Sequence, residues 1–127
     1  MTYSDHLYRL KDLLEDQGLT VDLFWEGPSE GEVGPGARID YEAKWVGVNP
    51  RFSWPAKEAL LSLAHEAGHW FSHCRNRDKD LDRQQRERLA YLYGWGVLQR
   101  LGVTLQEVTK ADWRKAHEVE AERFLWW

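Results

Sequence analysis

A chain of 127 residues fits one domain with a modest core, spanning 1–127. Its net charge of −4 provides no overall basic field to recruit nucleic acid, and the small basic patch at Arg83, Arg86 and Arg88 is interleaved with acids. A single cysteine, Cys74, rules out an internal disulfide and every cysteine-based zinc pattern; no apolar run approaches the roughly 18 residues of a membrane span, and Met1-Thr2-Tyr3-Ser4-Asp5 lacks the features of a signal peptide, so a cytoplasmic protein is expected.

Tyr3, Leu7, Leu10 and Leu14 recur at helical spacing, with Ser4 or Asp5 placed to cap the start and Gly18 to end it. Leu19, Val21, Leu23 and Trp25 alternate with polar residues except at Phe24, which predicts a strand with one buried face. Glu26 to Gly36 is rich in glycine, proline and acids and reads as an exposed loop, with a flap over a cleft as the alternative. Ala37, Ile39 and Tyr41 mark a second strand and Lys44 to Val48 a third, joined closely enough for an antiparallel hairpin. Gly47 within that strand marks either close approach of another backbone or a bulge.

A longer helix follows from Ala56 to Cys74, with Ser53 as its cap and Pro55 in the first turn. Leu60, Leu61, Leu63, Ala64, Ala67, Trp70 and Phe71 cover most of its circumference, the pattern of a buried helix. After the charged stretch 75–80, Leu89, Leu92, Trp95, Leu98 and Leu101 predict a helix from Asp82 to Leu101. Thr104 and Glu107 form a capping-box pattern flanked by Val103 and Val108, and Thr109 or Asp112 caps a last helix with Trp113, Ala116, Phe124 and Trp127 on one stripe. The expected fold is α+β, a small three-stranded antiparallel sheet packed on a buried central helix with further helices around it.

The polar residues in the middle of that central helix are Ser62, His65, Glu66 and His69. His65-Glu66-Ala67-Gly68-His69 has the His-Glu-x-x-His form, which on a helix sets two imidazoles four residues apart on one face, where both can bind one ion. Glu66 is turned about 100° from His65, beside such an ion, where a base that deprotonates a metal-bound water is needed. Catalytic zinc usually takes three protein ligands and keeps one position open. Glu87 is the first choice for the third, because Ala90 and Gly94 on its helix and Gly68 on the central one are small enough for close packing. Glu120, with its neighbour Glu118, is the second choice. His73 would have to reach about 6 Å along the helix axis, which fits a supporting or substrate-side role better than ligation.

Ala64-His65-Glu66-Ala67-Gly68-His69 resembles the active-site helix of the ImmA/IrrE-type zinc metallopeptidases, within the zincins. The preceding Val46-Gly47-Val48-Asn49-Pro50 and the following Glu87-Arg88-Leu89-Ala90 are also similar to that family, and a short, Trp- and Arg-rich version of this kind is similar to proteins encoded by phages and mobile elements; Glu118 to Phe124 resembles the family's third-ligand helix as well. The resemblance implies a minimal zincin-like domain that hydrolyses peptide bonds of a protein or peptide substrate, with a regulatory, repressor-cleaving role in view. It implies Zn²⁺ held by His65, His69 and Glu87, with Glu66 as general base. Tyr91, Tyr93, His73 and His117 are candidates to stabilise the oxyanion, and a substrate strand is expected beside Lys44 to Val48.

Two other readings stand beside this one. The chain could be a non-catalytic module of the same fold, acting through a protein partner; a faint helix-turn-helix pattern from Leu98 to Lys115 is better explained by two packed helices and a turn, and no nucleic-acid or membrane partner is expected. A purely structural zinc would need four protein ligands and no Glu66. Oligomeric state is open.

Overall fold

A computed structural model describes residues 1–26, 36–49 and 56–124, with the side chains of 119–124 left aside. The expected loop or flap at 27–35, the Ser53 cap with Pro55, the inward stripe at Phe124 and Trp127, and the side chain of Glu120 lie outside the described residues. The described chain is α+β: helix α1 (Tyr3–Asp16), strands β1 (Thr20–Asp22), β2 (Ala37–Asp40) and β3 (Trp45–Val48), then helices α2 (Ala56–Cys74), α3 (Arg83–Arg100) and α4 (Lys110–Phe124).

Thr2 caps α1, two positions before Ser4, the nearer of the two expected caps. Its hydroxyl accepts from the Asp5 N–H, and the Asp5 carboxylate accepts from the Thr2 N–H, so Asp5 completes a capping box. Leu7, Leu10 and Leu14 are buried, and Gly18 supplies the left-handed turn (φ 94°) that reverses the chain into β1.

The sheet order is β1-β3-β2, and here the expectation of an all-antiparallel sheet is corrected. β3 pairs antiparallel with β2 but parallel with β1, in the register Thr20↔Trp45, Val21↔Val46, Asp22↔Gly47. β2, the next strand in sequence, lies at the far edge, and β3 enters between it and β1. β1 is also shorter than its hydrophobic alternation suggests. The Asp22 carboxylate accepts from the Phe24 N–H at 2.9 Å, an Asx-type turn that bends the chain and leaves Phe24 exposed. Gly47 makes room for the indole of Trp45 and the Cβ of Trp25, rather than for another backbone.

α2 has the bounds that its apolar pattern predicts, and each residue from Ala59 to Trp70 is buried. α1 and the sheet cover it on one side and α3 and α4 on the other, with Leu10, Leu14, Val46, Val48, Leu60, Leu63, Leu98 and Trp113 in one core. α3 is capped by Asp82 and Gln85 in a second capping box. The Thr104–Glu107 box forms, but it closes a turn rather than starting a helix. Glu107 Oε2 also lies 2.9 Å from Nε2 of buried His6, and the Glu107 carbonyl accepts from the Tyr3 hydroxyl at 2.7 Å, docking this turn onto α1. Thr109 and Asp112 cap α4 as expected. The link from α3 to α4 is longer than the 3–4-residue turn of a DNA-binding helix-turn-helix. No helix among the described residues is long and apolar enough to cross a membrane.

Candidate metal centre

The crossing of α2 and α3 builds the centre. A Cβ on Gly68 would collide with the carbonyl oxygen of Ala90 and come within 2.8 Å of the Gly94 nitrogen, so the two backbones touch. Ala90 is one turn beyond Glu87, and this close crossing brings a short glutamate side chain to the histidines of the neighbouring helix.

Both imidazoles meet the same carboxylate. Glu87 Oε2 is 2.9 Å from His65 Nε2, and Glu87 Oε1 is 3.1 Å from His69 Nε2. The two rings stand nearly perpendicular, with centroids 4.9 Å apart. Among the described residues Glu87 Oε2 has no hydrogen-bond partner, although a nitrogen is so near: the contact is short but its direction is not that of a hydrogen bond. Donors around a tetrahedral Zn²⁺ with bonds of about 2.0–2.1 Å stand about 3.3 Å apart. The two separations from Glu87 are within a few tenths of an ångström of that, so each imidazole is placed to share an ion with the Glu87 carboxylate; among the described residues, the three whose donor atoms all lie within 4.8 Å of one another are His65, Glu87 and His117.

The electrostatics agree with this donor set. Burial pushes His65 below the usual imidazole range, against the pull of Glu87 and with help from His69, which favours the neutral form that binds metals. Burial opposes ionisation of Glu87 most strongly, yet the two imidazoles together hold it well below the usual carboxylate range. Glu66, also fully buried, lies with His69 and Glu87 at the floor of a cleft of about 320 Å³ whose other lining residues are Arg38, Ile39, Tyr41, Arg83 and Arg86.

The other candidates fall elsewhere. Glu118 is exposed. His73 stacks on Tyr41, with ring centroids 4.0 Å apart, and its Nδ1 lies 3.0 Å from Asp78. Tyr93 lies under the guanidinium of Arg75, 5.7 Å away. Tyr41, absent from the expected site residues, is held far above its usual pKa by burial and then by the charge of Glu66.

His117 is closer to the centre than its expected role as a substrate-oxygen donor required. His65, Glu87 and His117 each offer a donor atom within 4.8 Å of the others, and the His117 ring is 5.5 Å from His65 and 4.9 Å from Tyr91. Its Nδ1 is buried with no hydrogen-bond partner among the described residues, and burial, then the nearby His65, lower its pKa to about 4. The signal was present in the spacing: His117 follows Trp113 by four residues and so shares its inward face. Trp113 is itself fixed by its Nε1–H donating to the Tyr91 carbonyl at 3.0 Å and by its ring resting against Gly94.

Comparison with known proteins finds no matching family model, no similar curated protein and no similar solved structure.

Proposed function

We propose that this chain is a zinc metallopeptidase in which His65, His69 and Glu87 hold Zn²⁺ and Glu66 is the general base. The observation that carries the reading is the convergence of two imidazole Nε2 atoms on the Glu87 carboxylate, next to a buried Glu66 that borders an open cleft. When bound, Zn²⁺ supplies Lewis acidity and lowers the pKa of water toward about 7. Glu66 takes the proton of the attacking water on a carboxylate oxygen and passes it to the amine nitrogen as the peptide C–N bond breaks. Its burial keeps bulk water from competing for that proton.

The peptide would lie along β2 rather than β3. β3 is the middle strand and has both edges paired, so it cannot receive the substrate strand expected there. Among the described residues β2 pairs only with β3, and its Arg38 and Ile39 line the cleft. Main-chain pairing on this outer edge sets an extended peptide beside Glu66.

Wild type and Glu66→Gln should both retain about one zinc per chain by mass spectrometry, while only wild type cleaves a mixed peptide library. Proteolysis by Glu66→Gln, or full activity of metal-stripped protein, would overturn the reading.

One observation favours a rival. His65, Glu87 and His117 place their donor atoms within 4.8 Å of one another; with His69 added to them, the four would make a closed site of the structural kind, in a non-catalytic module.

A further inference from the structure

The cleft above the metal centre carries a charge pattern that the overall composition hides. The whole chain is acidic, yet three guanidinium groups line this opening: Arg38 from β2 on one wall, and Arg83 and Arg86 from the start of α3 on the other. The acids of the cleft lie at its floor, where both oxygens of Glu87 face the imidazoles.

Helix α3 begins differently from the other helices. The first turns of α1, α2 and α4 contain Asp5, Glu58 and Asp112, whereas the first turn of α3 has no acid. It carries Arg83 and Arg86 instead, at the helix end where the backbone dipole repels cations. Both residues are exposed, beside the Asp82 carboxylate that caps the same helix end. Three residues apart, they share one helix face, and Arg83 shares it also with Glu87, four residues on. Arg86 is close enough to Tyr41, on the opposite wall, to counteract part of the rise in its pKa.

We propose that this cleft selects a carboxylate next to the scissile bond, gripped by Arg38 from one side and by Arg83 and Arg86 from the other. The inference rests on the peptidase reading and adds its substrate class. Guanidinium groups suit the task because they remain charged at any working pH and bind a carboxylate through two parallel N–H bonds. The carboxylate belongs either to an Asp or Glu side chain or to the C-terminus of the peptide.

The test uses peptides with a neutral coumarin label that differ at one position, Asp, Asn or Lys, each with a free or an amidated C-terminus. Binding to the full chain is read by fluorescence anisotropy and cleavage by mass spectrometry. The amidated Asp peptide should bind about tenfold tighter than the Asn peptide, with Lys weakest, if a side-chain carboxylate is selected. If only free-acid peptides bind tightly, whatever the varied residue, the C-terminus is the group selected. Either preference should shrink as salt rises from about 0.05 to about 0.5 M. The double variant R83E/R86E, at exposed positions and checked for folding by circular dichroism, should reverse the order. Equal affinities across the set, or an order unchanged in the double variant, would overturn the proposal. Cleavage without charge preference removes the carboxylate selection and leaves the peptidase reading, whereas charge-selective binding without cleavage does the reverse.

Discussion

Gly68 and Ala90 meet across the crossing of α2 and α3 so closely that no side-chain carbon fits between them. The contact lies one turn from Glu87 and between the helices that carry the donors. Gly68→Ala should therefore push α3 away, costing about 1–3 kcal/mol of stability as an overpacked core does. Because Glu87 moves with α3, zinc affinity should fall as well. Thermal melts and zinc titration of the variant check both effects; a destabilised protein with unchanged zinc affinity would separate the helix crossing from the metal centre.

Glu87 and Glu118 give opposite expectations. Glu87 meets both imidazoles, while Glu118 is exposed on α4. Glu87→Gln should lower zinc affinity by more than the roughly 10–100-fold that removal of an outer partner of a metal ligand costs. Glu118→Gln should leave it within experimental error. A competition titration with a chromogenic chelator measures both, and similar affinities in the two variants would remove Glu87 from the donor set.

The central helix and its motif were legible because their signals are local. Apolar residues around the whole of Ala59–Trp70 mark a buried helix, and the small residues Gly68, Ala90 and Gly94 mark the crossing that brings Glu87 to His65 and His69. Strand direction was not legible in this way. Alternation in β1 and β3 records which faces are buried but not which strand lies in the middle, because every order and direction of pairing is compatible with the same alternation. The length of β1 was misjudged for a local reason, since Asp22 can bond the backbone two residues on and end a strand whose hydrophobic pattern continues. His117 was noticed only as one of several candidate hydrogen-bond donors to the oxyanion. Its approach to His65 depends on how α4 is rotated, and the seating of Trp113 against Gly94 and Tyr91 is a long-range contact.

Acid should destabilise the metal-free protein from near pH 6.5 downward. His117 falls from an ordinary 6.5 to about 4 in the folded state, so between these values the unfolded chain binds more protons and stability decreases as pH falls. His65 is shifted in the same direction by its burial. Glu87, depressed from 4.5, adds stability that is present above that value and is lost as pH drops through its folded pKa, so it steepens the loss at the acid end. His117→Gln should flatten the stability curve of the metal-free protein between pH 6.5 and 4 by about 1–2 kcal/mol, allowing for the part of the ring open to water. Denaturant melts across that range measure it, and parallel curves for the variant and wild type would rule out His117 as the titrating group.

The role of His117 at the centre is decided by the same position with metal present. If His65, His69 and Glu87 are the complete protein ligand set, His117→Ala should keep its zinc with little change in affinity. Any loss should then be in kcat rather than in metal content, as expected for a group that assists near the reacting atoms. If His117 completes a closed set of four, its removal should weaken zinc binding by at least about 10-fold and open a position to water. X-ray absorption on zinc-loaded wild type and variant counts the imidazoles directly. Two in both proteins support the three-ligand peptidase site, and three in wild type falling to two in the variant support the closed structural one.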